Sequence, residues 1–228
     1  MEFLSPRVSI PFVAEASGEP ALGLRERKKQ RTRATLIDAA VELCERQGFE
    51  RTTVDQIAAI ADVSPRTFSR YFATKDAIAL ALIDEAIEMA AVELARQSTD
   101  ISHFEALRRS YVVMYNGTKS APPGALSADR MMCTVRIVMT SPTLRQAARE
   151  YRRHAVNVEL AKRLGVGVDD RRLKLVSAVW GSIIMTALAD LSEDGVDWGH
   201  IGIDDIVTRL EATFAEFMGE ISEVRHPV

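Results

Sequence analysis

TTVDQIAAIADVSPRTFSRYFATKD, from Thr52 to Asp76, carries two short helical patterns separated by a two-residue break. Thr53 suits the N-cap of a helix opening at Val54, and Gln56, three residues on, is its reciprocal partner in a capping box. Val54, Ile57, Ala58 and Ala61 recur at helical spacing. Asp62 and Val63 form the turn. Ser64 caps a second helix with Pro65 at its first position, where a missing N–H costs nothing. Phe68 and Phe72, one turn apart, face inward, which leaves Pro65, Arg66, Thr67, Ser69 and Arg70 on the outer face. The pattern predicts a helix-turn-helix whose second helix enters a DNA major groove.

The residue types suit that task. Arg66 and Arg70 each present a planar fork to guanine edges. Thr67 and Ser69 can meet a base edge or a phosphate, and Tyr71 and Lys75 offer a hydroxyl and a point charge to phosphate. Thr52 and Thr53, at the start of the first short helix, complete the contacts expected of this segment. An ordinary helical hairpin with a solvated basic face has the same pattern.

A wider match separates the two. The run GFERTTVDQIAAIADVSPRTFSRYFATKDAIALAL, Gly48 to Leu82, resembles the DNA-binding domain of the TetR family of bacterial transcriptional regulators. The resemblance rests on Gly48-Phe49, Thr52-Thr53-Val54, Ile57-Ala58, Val63-Ser64, Thr67-Phe68, Tyr71-Phe72 and Lys75-Asp76 at fixed spacings. Family members usually carry Gly at the turn, where this chain has Asp62; Asp tolerates a left-handed backbone better than most residues. The resemblance implies a repressor that binds a palindromic operator as a homodimer and is released by a small-molecule effector.

Composition leans to an all-α globular chain. Of 228 residues, 47% are hydrophobic and only 6% aromatic, and no apolar run reaches the ~20 residues of a membrane span. Cys44 and Cys133 are too few for a disulfide framework, which fits a reducing cytoplasm. The net charge of −3 argues against a nucleic-acid binder until its distribution is seen. Residues 24–75 hold eleven Lys/Arg against seven Asp/Glu, net +4, while 76–228 hold seventeen against twenty-two, net −5. A basic module on an acidic body is the layout of a protein that docks DNA at one end.

Three segments follow: a flexible tail at 1–23, the helix-turn-helix domain at 24–75 and a helical effector-binding and dimerisation domain at 76–228, about nine helices in all. The first helix, Arg25 to Gln47, opens with the basic run RERKKQRTR, from which Lys28, Lys29 and Arg31 are expected at phosphates. Cys44 falls on its buried stripe. Thr74 caps a long helix to about Gln97, the connector of TetR-like proteins. Further helices are expected at about 101–119, 126–140, 142–164, 170–191 and 204–221. In the resembling family the last two pair with their copies in a four-helix dimer interface, and Ile206, Leu210, Phe214, Phe217 and Ile221 recur at helical spacing on the last.

Phe104, Tyr111, Met114, Tyr115, Met131, Met132, Met139 and Trp180 are each ordinary core residues singly, and together could line a largely apolar effector cavity. Arg136 sits one turn from Met132 and Met139, where it needs an acidic partner from the body or an anionic ligand head group. No cofactor motif, metal-spaced His/Cys cluster, nucleophile elbow or phosphate loop supports catalysis. The alternative function, a helical small-molecule-binding or sequestering protein that reads no sequence, is opposed by Arg66, Arg70 and the Lys/Arg run.

Overall fold

The computed structural model describes residues 23–122, 125–151, 155–193 and 195–225. The expected tail, Gly23 apart, lies outside them, as do His154 and His226. The N-terminal unit is α1 (Leu24–Gln47), α2 (Val54–Ile60) and α3 (Pro65–Tyr71), and α4 (Lys75–Arg96) leads out of it. The body adds α5 (His103–Thr118), α6 (Ala128–Thr140), α7 (Pro142–Tyr151), α8 (Ala155–Leu164), α9 (Arg171–Ala187) and α10 (Ile203–Arg225). No strand occurs among the described residues. The helix expected over 142–164 is helical as α7 and as α8, on either side of 152–154, which lie outside the described residues. The helix expected to reach Leu191 stops at Ala187 and continues as a 3₁₀ turn, Ala189–Ser192.

Local chemistry sets the helix ends. Thr53 and Gln56 form the capping box from both sides. Ser64, Thr74, Ser102, Ser127 and Asp170 each accept a backbone N–H at the start of α3, α4, α5, α6 and α9. Asp62 takes φ +50° at the end of α2. Its N–H donates to the Ala59 carbonyl at 3.2 Å and that of Val63 to Ala58 at 2.9 Å. This is a Schellman close with Asp in the position that glycine usually fills.

Two cores result, and α4 belongs to both. Leu36, Ile37, Ala40, Cys44, Ile57, Phe68 and Phe72 bury together under α1–α3. Ile78, Ala79 and Leu82 of α4, Cys133 and Ile137 of α6 and Leu144 of α7 complete that cluster, so it extends past residue 75 into the body. Ile83, Ile87, Ala90, Ala91 and Leu94, further along α4, join the second core with α5, α6, α8, α9 and α10. A shift of α4 in one core is therefore felt in the other, because close-packed interiors deform little.

On the body surface, Glu105 of α5 accepts from Arg108 at 2.7 and 2.8 Å and from Arg109 at 2.6 Å. Arg108 also reaches Glu211 of α10 at 2.5 and 2.7 Å. The Arg108 hydrogen bonds, then those of Arg109, hold the Glu105 carboxyl down at about 2 from its usual 4.5. The unfolded chain thus binds this proton more readily than the folded one. The stability that Glu105 contributes is whole above pH 4.5 and drains away as pH falls toward 2. Urea unfolding of Glu105→Gln at several pH values is expected to show less loss between pH 4.5 and 3 than the parent chain. Equal losses would discount the cluster.

Candidate nucleic-acid interface

α3 is short but held at both ends. The Ser64 hydroxyl accepts from the Thr67 N–H at 3.1 Å and lies 3.0 Å from the Thr67 hydroxyl. The Ser69 hydroxyl donates to the Pro65 carbonyl at 3.1 Å. Phe68 is 0% exposed and its ring sits 6.0 Å from that of Phe72, tilted at 44°. With that face buried, Pro65, Arg66, Ser69 and Arg70 are exposed, and Thr67 and Tyr71 half-buried. Arg66 has no ion-pair partner among the described residues, so its five N–H groups are available. The Arg70 guanidinium lies 5.3 Å from the centre of the Tyr71 ring. The Thr32 hydroxyl of α1 first, then Arg70, draws the Tyr71 pKa down. Lys28, Lys29 and Arg31 are exposed on the same stretch of α1 as Thr32. Thr53 is also exposed, at the start of α2.

Two expected contacts are placed differently. Thr52 is 1% exposed and its hydroxyl donates to the Gly48 carbonyl at 3.0 Å, so it faces the core. Lys75 donates from Nζ to the carbonyls of Phe49 and Glu50, both at 3.0 Å, and lies 4.9 Å from the Phe49 ring centre. Its charge closes the loop between α1 and α2 rather than projecting outward. Arg66 and Lys75 should therefore fail in different ways. Arg66→Ala is expected to leave stability unchanged and to cost ~1–3 kcal/mol at a single base position. Lys75→Ala is expected to destabilise the fold by ~1–2 kcal/mol, since two carbonyls lose a charged donor. Thermal unfolding and binding to single-base operator variants separate the two, and matching profiles would contradict both assignments.

The residues proposed for a ligand are divided. Tyr111, Met114, Tyr115, Met131 and Met139 line a cavity of about 90 Å³ among α4, α5, α6 and α9. Tyr111 and Trp180, edge to face at 5.2 Å, also border a cleft of about 1130 Å³ between α8 and α9. Phe104, Met132 and Arg136 line neither. Phe104 packs on Phe217 at 5.3 Å, and Met132 packs at the margin of the body core. Among the described residues Arg136 meets no body acid, and it borders neither cavity. Its guanidinium donates to the Cys44 carbonyl at 2.7 Å, near the C-terminus of α1, on the same oxygen that accepts from the Gly48 N–H at 2.9 Å. It also lies 5.8 Å from the Trp198 ring. Gly48, at φ +82°, passes so close that a Cβ there would stand 3.2 Å from this guanidinium.

Sequence reasoning missed Arg130. It is 5% exposed on α6 and donates to Asp38 of α1 at 2.7 and 3.0 Å, with Glu85 of α4 at 3.7 Å. A cation on an apolar helix was the available signal, but nothing local identified partners on two other helices.

The sequence model described as "Bacterial regulatory proteins, tetR family" matches residues 36–82. The chain is 34% identical to the HTH-type transcriptional regulator TcmR of Streptomyces glaucescens over 171 residues, which span 71% of this chain and 73% of TcmR. It is 33% identical over 94 residues to the HTH-type transcriptional regulator EthR of Mycolicibacterium smegmatis, covering 40% of this chain and 43% of EthR. Among solved structures, SmeT, the repressor of a Stenotrophomonas maltophilia multidrug efflux pump, superposes with a TM-score of 0.51 at 20% identity, covering 82% of this chain and 91% of SmeT. Thermus thermophilus FadR, solved with lauroyl-CoA, gives 0.50 at 23%, covering 80% and 91%. At those identities the two structures speak to the fold alone. The extent of the match to TcmR, with the family match centred on α2 and α3, makes this chain a DNA-binding transcriptional regulator of the TetR family.

Proposed function

We propose that the chain is a homodimeric repressor that holds a palindromic operator and leaves it when a small, largely apolar effector fills the body. The observation that carries the DNA half is the capped α3, with Arg66 and Arg70 exposed over a fully buried Phe68. Lys28, Lys29, Arg31, Thr53, Thr67, Ser69 and Tyr71 are the further contacts we assign to the operator, and the cytoplasm is where a bacterial regulator meets it. The dimer half rests on α9 and α10, which pack together and each keep exposed side chains. Leu175 is 63% exposed on α9, and Ala212, Ala215, Met218 and Gly219 are exposed on α10, while Ala178, Ser182 and Thr186 of α9 border the cleft between α8 and α9. Small residues let a second pair of helices approach closely. A two-fold dimer presents two recognition helices to successive major grooves.

The effector would enter the cleft between α8 and α9. Its volume suits a drug-sized molecule, whereas the methionine-lined cavity of about 90 Å³ holds only a few solvent molecules. Trp180, 3% exposed on the cleft wall, has an Nε1–H with no hydrogen-bond partner among the described residues. A ligand acceptor oxygen would satisfy it. Trp180→Phe keeps an aromatic ring and removes the orphan donor, at a cost of ~1–2 kcal/mol from the smaller ring's lost packing. Effectors bearing an acceptor should lose affinity in this variant while pure hydrocarbons should not. Equal affinity losses for both kinds of effector would mean that the N–H takes no part in binding.

Selection of bound duplexes from a random pool tests the operator reading. A palindrome whose half-sites lie about 34–36 Å apart is the expected product. A lone half-site, or no enrichment, would refute the dimeric reading.

A further inference from the structure

We infer that Cys44 and Cys133 form a dithiol site that a hydroperoxide closes to a disulfide, tying the DNA-binding helices to the body. They are the only two cysteines of the chain, on different helices, and both are free and buried. Cys44 is 0% exposed near the end of α1, and Cys133 is 3% exposed on α6. Both lie in the buried core shared by the two domains, and Arg136, one turn along α6 from Cys133, donates to the Cys44 carbonyl at 2.7 Å. The surroundings make the two thiols unequal. The nearby Cys133 thiol draws the Cys44 pKa down, burial opposes it, and the Arg136 guanidinium and the Phe49 N–H add to the lowering against Glu45. Cys44 and burial push Cys133 up. With the Arg136 guanidinium held at its carbonyl, Cys44 is the thiol placed to act as nucleophile, and Cys133 is the proton donor and resolving thiol.

The chemistry balances with hydrogen peroxide, which is small enough to enter a seam that opens only slightly. The Cys44 thiolate attacks one peroxide oxygen. An S–O bond forms, the O–O bond breaks, and the departing hydroxide takes the Cys133 proton to become water. The Cys133 thiolate then attacks the Cys44 sulfur. The S–S bond forms, the S–O bond breaks, and the second hydroxide takes up the proton that Cys44 released earlier. Two thiols and one peroxide give one disulfide and two waters, with two electrons passing from sulfur to oxygen. An S–S bond of about 2.05 Å is shorter than any S–H···S contact, so closure draws α1 onto α6. Arg130 and Arg136, one turn to either side of Cys133, already bridge this seam to Asp38 and to the Cys44 carbonyl. The bond would therefore fix the joint through which the body biases α2 and α3. That regulatory consequence rests on the operator reading above, whereas the chemistry does not.

The test treats the reduced full-length chain with hydrogen peroxide, then denatures it, alkylates free thiols and maps peptides by mass spectrometry. A chain two hydrogens lighter is expected, unalkylated, with Cys44 and Cys133 peptides linked within one molecule and released by dithiothreitol. Cys133→Ser should stop at a Cys44 sulfenic acid that dimedone traps. Two thiols that still alkylate, sulfinic acids without a linked pair, or disulfides between chains would each overturn the site. The second arm compares oxidised and reduced protein on the selected operator. A change in affinity of about tenfold or more, reversed by dithiothreitol and absent in Cys133→Ser, is expected. A disulfide with unchanged affinity overturns the tie to DNA binding. A reduced protein that selects no operator sinks the operator reading and leaves the mass result standing.

Discussion

Phe68→Ala is expected to destabilise the chain by ~3–5 kcal/mol and to remove sequence-specific DNA binding. Phe68 is fully buried and holds α3 by its only buried side chain. Its ring fills the space between Phe72 and the α1 and α2 side chains, and α3 has too few residues to persist alone in water. Truncation removes the burial of an aromatic ring and leaves a cavity that the caps at Ser64 and Thr67 cannot close. Because Ile78, Ala79 and Leu82 of α4 share that core, the loss should also loosen the connector. Urea unfolding measures the first effect, and binding to the selected operator at two salt concentrations measures the second. Phe68→Leu, which keeps most of the volume, should cost no more than ~1.5 kcal/mol and retain binding. A Phe68→Ala chain within 1 kcal/mol of the parent would show that α3 is anchored by other contacts.

Arg130→Ala ranks next, at ~2–3 kcal/mol. Breaking a fully buried ion pair costs ~3–5 kcal/mol because a charge is left stranded. Here Asp38 has 62% and Glu85 31% of its side chain exposed, so water recovers part of that loss. The remainder falls on Glu85, whose pKa is already raised by burial and lowered chiefly by Arg130. Without Arg130 that pKa rises further. A raised carboxyl pKa means that the folded chain holds its proton more tightly, so the group adds stability below pH 4.5 and loses it as pH climbs through the folded value. The gap between Arg130→Ala and the parent should therefore widen from pH 4.5 to 7. A gap that is constant with pH would remove Glu85 from the account. Since Arg130 joins α6 to α1 and α4, the variant should also respond less to effector in DNA binding.

The sequence by itself determined what depends on neighbours a few residues away. Thr53 with Gln56, Ser64 before Pro65, Thr74 before Lys75, and Asp62 at the turn were legible because capping and turn bonds close within five residues. The inward Phe68 and Phe72, and with them the outward Arg66 and Arg70, followed from helical spacing on one short element. Tertiary structure decided the rest. Lys75 finds carbonyls 25 and 26 residues back, and Arg130 and Arg136 each find α1 atoms 92 residues away. Long flexible side chains take whichever acceptors the packed helices bring within reach, and spacing along one helix carries no record of its neighbour. The same holds for Cys44 and Cys133, each unremarkable on its own stripe and brought into one buried cluster only because α6 lies against α1. The cleft beside Trp180 is likewise a property of how α8 and α9 lie together, whereas the methionines nominated by composition closed around little space.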